Sequence, residues 1–168
     1  MGYIPEMAWN DTVFGSGLAA GGNLAATGGG VSSIYLKPPW QADLGSTYGT
    51  GRYVPDIAFA ASPYHDPYNI VTSGQWIQIG GTSAATPVFA ATLALLNQYF
   101  GESGQGDINP NLYNLAAASP ALFHDIVLGS NIVPCAFGVA PQTDCPAAGD
   151  GYGYYAGPGY NLATGLGP

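Results

Sequence analysis

The chain has 168 residues, enough for one domain with its own core, and only 7% of them are charged where an average soluble protein carries about 25%. Two basic against ten acidic residues give a formal charge of -8, so there is no basic patch of the kind a nucleic-acid partner needs. With every carboxyl protonated, only Lys37, Arg52, His65, His124 and the amino terminus would carry charge. Self-repulsion in acid would then be weak, which fits either an acidic milieu or a neutral-pH secreted protein with a polar, uncharged surface.

In chain order, "MGYIPEMAWND" has neither the basic start nor the apolar stretch of a secretory leader, and Glu6 stands where a myristoylation signal needs Ser or Thr. The chain reads as though it opens in mid-domain. Residues 17 to 33, "GLAAGGNLAATGGGVSS", form a glycine-rich loop without the Gly-Lys-Ser/Thr ending of a phosphate cradle. "VPDIAFAAS" (54 to 62) is a short apolar run of the kind found in a buried strand, and "GQWIQIGG" (74 to 81) alternates like a second strand that stops at two glycines. The period then changes. Val88, Ala91, Leu95 and Tyr99 follow helical spacing, with Pro87 read in the first turn and Gly101 as the stop. Leu93 and Leu96 make the other faces apolar as well, so this helix is expected to be buried on most sides. A second helix is expected after "NP" (109 to 110), through "NLYNLAAAS". Strand, glycine turn and buried helix make an α/β pattern. No apolar run of about 18 residues is free of Gly, Pro and polar interruptions, so no membrane span is expected. Cys135 and Cys145 lie in a Gly/Pro/Asp-rich loop, spaced for a small-loop disulfide in an oxidising compartment; the alternative is two free thiols.

Ser83 follows "IQIGGT" and opens the first helix. There it lies at the positive end of the helix dipole, near backbone N–H groups able to stabilise an oxygen anion. The plainer reading is that Thr82 or Ser83 caps the helix. Residue patterns alone leave both open.

"GGTSAATP" resembles the Gly-Thr-Ser-Ala-x-x-Pro signature around the nucleophile of the subtilisin-like serine peptidases. Three further stretches, "ATGGGVSSIYLKPPWQ" (26 to 41), "VPDIAFAASP" (54 to 63) and "AGPGYNLATGLGP" (156 to 168), resemble the acid-acting branch, the sedolisins or serine-carboxyl peptidases, and within it the kumamolisin-like members. The resemblance implies an α/β, subtilisin-like fold with a mainly parallel sheet flanked by helices. Residues 1–168 would form the C-terminal portion of the catalytic domain, with a Cys-containing insertion at about 130–155. It further implies a secreted endopeptidase that hydrolyses peptide or protein substrates in acid, with Ser83 as nucleophile. In this family a Glu replaces His as general base, because imidazole would stay protonated at low pH. The Glu/Asp pair and the oxyanion Asp lie upstream in the family pattern, and neither of their motifs occurs in residues 1 to 82. Glu6 and Asp11 match another stretch, Asp56 matches a structural strand, and neither His65 nor His124 is placed as a base. The partner is therefore a missing N-terminal half, and the alternative function is a non-catalytic secreted binding or structural module on a peptidase scaffold.

The resemblance also implies one Ca²⁺, held by Asp125, the carbonyls of Ile126, Gly157 and Gly159, and residue 161. Asn161 stands where the family has Asp, which removes a negative charge and leaves a neutral amide oxygen as the expected ligand, with weakened binding.

Overall fold

The computed structural model describes residues 4–12, 24–44, 48–133 and 151–168. Strand β1 (Gly30–Leu36) pairs antiparallel with β2 (Gly51–Val54), Val31 opposite Tyr53 and Leu36 opposite Gly51. The register slips between those two pairs. Ser32 lies in that interval, and its hydroxyl accepts the amides of Ile34 (3.1 Å) and Tyr35 (2.9 Å), drawing donors away from the ladder. Strands β3 (Tyr68–Thr72) and β4 (Gln75–Ile79) form a hairpin closed by Ser73 and Gly74, both at positive φ (49° and 75°). That geometry matches the right-handed twist of the two strands.

Helix α1 (Thr82–Phe100) follows β4 after two glycines and ends on left-handed Gly101; α2 (Asn109–Ala118) lies between two 3₁₀ turns, Pro39–Gln41 and Pro120–Leu122, and packs on both. The switch from strand to helix at 80–82 and the second helix after "NP" agree with the sequence pattern.

The core is aromatic. Tyr53, Tyr113, Tyr160 and Leu162 are buried together, with Val31, Trp40, Leu44, Tyr154 and Leu166 packed around them. Tyr160 stacks on Tyr53 at 6.0 Å between ring centroids and tilts against Tyr113 at 6.3 Å. Gln41, fully buried, ties three elements together: its amide donates to the Tyr53 carbonyl (2.9 Å) and the Tyr113 hydroxyl (2.7 Å), and its oxygen accepts the Tyr53 amide (2.9 Å). The C-terminal segment is sewn to this core, with Leu166 N–H on the Asp56 carbonyl (2.9 Å) and the Tyr160 hydroxyl on the Pro55 carbonyl (2.8 Å).

Three expectations change: the strand over 54 to 62, the burial of α1 and the place of Pro87. Of residues 54 to 62 only Val54 belongs to a strand; Pro55 has no N–H for a ladder, and the segment beyond it makes isolated hydrogen bonds, such as Ala58 N–H to Gly167 (3.3 Å). The named strands pair antiparallel, and the parallel pairing among the described residues is the bridge between Ala8 and Gly129. Helix α1 is uncovered rather than buried: within it only Ala84 is buried, and Tyr99 is 81% exposed. Pro87, read in the first turn, stands in the second, six residues into the helix. Among the described residues no helix is long and apolar enough to cross a membrane. Cys135 and Cys145 lie outside the described residues. On either side of them the chain pairs with itself, Ser130 opposite Tyr155 and Val133 opposite Tyr152.

Candidate active site

The elbow before Ser83 is set by close backbone approach. A β-carbon on Gly80 would stand 2.5 Å from the Ala61 carbonyl oxygen, so only glycine fits there. Gly81, at φ 85°, donates its N–H to that same carbonyl and is the N-cap of α1. Its own carbonyl accepts the amides of Ala84 (2.9 Å) and Ala85 (3.3 Å). No side chain caps the helix, so the cap reading of Thr82 or Ser83 does not hold. Ser83 is exposed on the first turn, beside amides that have no intrahelical acceptor. One turn on, Pro87 has no N–H to offer the Ser83 carbonyl, while the Thr86 hydroxyl donates to the Thr82 carbonyl (2.8 Å). The arrangement can present a hydroxyl at a positive helix end. It cannot deprotonate that hydroxyl by itself.

Asp11 and Asp56 are each engaged by other groups. Asp11, whose side chain is 5% exposed, accepts the Trp9 indole N–H and the Ser62 hydroxyl (2.8 Å), and His65 approaches it at 3.6 Å. Ser62 in turn accepts the amides of Tyr64 (3.2 Å) and His65 (3.0 Å), fixing the loop on which Gly80 rests. Asp56 holds the Arg52 guanidinium at 2.6 Å and accepts the Tyr113 hydroxyl at 2.8 Å. Burial works against the Arg52 charge, but the hydrogen bond and attraction to Asp56 outweigh it and raise its pKa. Burial pushes the Tyr113 and Tyr160 phenols well above their ordinary range, so both stay neutral. An open groove of about 730 Å³, lined by Val31, Leu36, Trp40, Arg52, Asp107 and Tyr152 among others, includes neither Ser83 nor the elbow.

The residues expected around calcium do come together. The carbonyls of Ile126, Gly157 and Gly159 converge on the side chain of Asn161, and Asp125 accepts the Gly159 amide at 2.8 Å. What meets the carbonyls is the Asn161 nitrogen, at 3.3, 3.1 and 3.4 Å respectively, and not the oxygen expected of a ligand. As arranged, the donor set offers a cation a hydrogen-bond donor at its centre and does not fit Ca²⁺. Among the described residues no group of three or more His, Cys, Asp or Glu side chains could hold a metal. Thr164, which fixes this amide, was not singled out from the sequence, although Asn-x-x-Thr is a recognisable local hydrogen-bonding pattern.

No protein-family model matches the chain. Kumamolisin from Bacillus sp. (strain MN-32) is 39% identical over 170 residues, covering 96% of this chain and 25% of that protein. Sedolisin from Pseudomonas sp. (strain 101) is 37% identical over 158 residues, covering 94% of this chain and 24% of that protein. A solved structure of Pseudomonas sedolisin, a serine-carboxyl proteinase complexed with two molecules of pseudo-iodotyrostatin, superposes with a TM-score of 0.76 at 34% identity over 98% of this chain. The chain belongs to the sedolisin family.

It spans about a quarter of the length of these two curated relatives and 38% of the solved sedolisin chain. The relatives cover almost all of this chain, so the sedolisin likeness takes in the elbow and the C-terminal loop as well as the aromatic core. Among the described residues no hydrogen bond joins a carboxylate or imidazole to Ser83.

Proposed function

We propose that this chain is the nucleophile-bearing portion of a secreted, acid-acting serine-carboxyl endopeptidase, residues 1–168 forming the C-terminal portion of its catalytic domain with a Cys-containing insertion at about 130–155. Ser83 gives its proton to the base and attacks the carbonyl carbon of a peptide bond; the C–N bond breaks, the amine leaves with that proton, and water then hydrolyses the acyl-serine to a carboxylic acid and free Ser83. The general base, its orienting Asp and the oxyanion Asp come from an N-terminal portion outside this sequence. The complete domain is a mainly parallel, subtilisin-like sheet flanked by helices. The observation that carries this reading is the placement of Ser83: exposed, uncapped and on the first helical turn after a glycine elbow.

Replacing Ser83→Ala in the full-length protein should abolish proteolysis at acid pH and leave the melting temperature within about 1 °C, as for other surface substitutions. Substantial remaining turnover would sink the assignment. The isolated chain should show no useful peptidase activity, because a serine without base and oxyanion partner loses orders of magnitude in rate. Robust Ser83-dependent cleavage by the chain alone would overturn that. The lack of any described base at Ser83 also suits a second reading, a non-catalytic secreted binding module. A Glu-x-x-x-Asp helix and a Ser-Gly-Asp loop encoded upstream decide for the enzyme, and their absence there decides for the module.

A further inference from the structure

We infer that the side-chain amide of Asn161 stands in for a bound cation, so that the C-terminal loop of this protein closes without calcium. The loop brings three carbonyl oxygens, from Ile126, Gly157 and Gly159, to one point, and three convergent acceptors repel one another unless something positive lies between them. Here the Asn161 N–H groups lie between them, two hydrogens shared among three oxygens in long contacts of 3.1 to 3.4 Å. Asn161 is itself 2% exposed, so its amide is held inside the loop.

The amide cannot turn over to offer its oxygen. That oxygen already accepts the backbone amides of Ala163 (3.1 Å) and Thr164 (2.9 Å) and the Thr164 hydroxyl (3.0 Å). A flip would aim N–H at N–H on one side and oxygen at three oxygens on the other. The Thr164 hydroxyl could reverse its role, but the two backbone amides cannot. A carboxylate at position 161 would differ in one atom and one charge. It would keep the same oxygen on the two amides and place a second, negative oxygen among the carbonyls, a set of hard oxygens that calls for a cation. Asn161 replaces that requirement with an internal donor. Its backbone also pairs both ways with Gly165 (3.2 and 2.9 Å), so closing this point sets the turn that carries Leu166 to the core.

The test uses melting curves and calorimetric calcium titration of the full-length protein, readouts that do not depend on peptidase activity. The unaltered protein should show no saturable calcium heat and a melting temperature that changes by less than about 1 °C between EDTA and millimolar Ca²⁺. Asn161→Asp should lower the melting temperature in EDTA and recover it in calcium, by roughly 3 °C or more once calcium exceeds its dissociation constant a hundredfold. Folding of that variant only when calcium is supplied would support the inference equally. A calcium-dependent rise in the unaltered protein that Asp125→Ala removes would overturn it. So would an Asn161→Asp protein that folds and melts alike in calcium and EDTA.

Discussion

The tightest residue-level constraint sits at Gln41, a polar side chain with no exposed surface that satisfies both backbone groups of Tyr53 and the hydroxyl of Tyr113. Its removal takes a buried acceptor from the Tyr53 N–H and a buried donor from the Tyr113 hydroxyl. Gln41→Ala should therefore cost about 2–3 kcal/mol, read as a fall in denaturant midpoint; a cost under about 0.5 kcal/mol would mean the network is dispensable. The phenols beside it give a pH signature whose sign follows from burial. Folded Tyr113 and Tyr160 hold their protons more tightly than the unfolded chain, so their contribution is intact below the unfolded pKa near about 10 and declines as pH rises from there toward their folded values. Stability should fall by up to about 1.4 kcal/mol per pH unit for each phenol in that range, and Tyr160→Phe should make the decline shallower. An unchanged alkaline slope in that variant would remove Tyr160 from the account. The place of Ser83 at the start of α1 was legible in the sequence because two glycines, a strand and a helix lie contiguously around it. The convergence of carbonyls on Asn161 was not, because one of them, from Ile126, arrives from 35 residues away, although the Thr164 contacts that orient the amide are local. Gln41, at the end of a Pro-Pro-Trp run, carries no local sign of burial.

At the scale of elements, the change of period at 80–82 and the positions of both helices could be read from residue types alone, since strand alternation and helical spacing are local. Burial of α1 could not, because apolar spacing shows that a helix has faces to cover and not which residues cover them. Leu95 (66% exposed), Tyr99 (81%) and Phe100 (63%) form an uncovered end, while the Phe59 ring meets Phe89 at 5.8 Å near the other. Tyr99→Glu in this chain alone should change stability by no more than about 0.5 kcal/mol, as at any surface position. In the full-length protein the same change should cost more, provided the missing portion covers this face. Equal small effects in both would show that the face stays open. The ribbon formed by Ser130–Val133 and Tyr152–Tyr155 brings together the two ends of the segment holding Cys135 and Cys145. A disulfide between them should add about 2–3 kcal/mol in the chain-entropy model, and mass spectrometry of the unreduced protein showing two free thiols would exclude it.

For the whole molecule, the charge inventory sets how stability responds to acid and salt. At neutral pH the chain carries -8, and like charges repel. Salt screens that repulsion over about 10 Å at 0.1 M, so added salt should stabilise the protein there. In strong acid the ten Asp and Glu are neutral, and the positive charge comes from only two Lys and Arg, two His and the amino terminus. Repulsion is then smaller than at neutral pH, the reverse of what a lysine-rich protein experiences. The melting temperature should accordingly rise more with salt at about pH 7 than at about pH 3, where most carboxyls are protonated. The measurement is a pair of salt series at the two pH values. A steeper salt dependence in acid would mean that specific ion pairs such as the half-buried Arg52–Asp56 pair, rather than net charge, control acid stability, and would remove the compositional support for an acidic working environment.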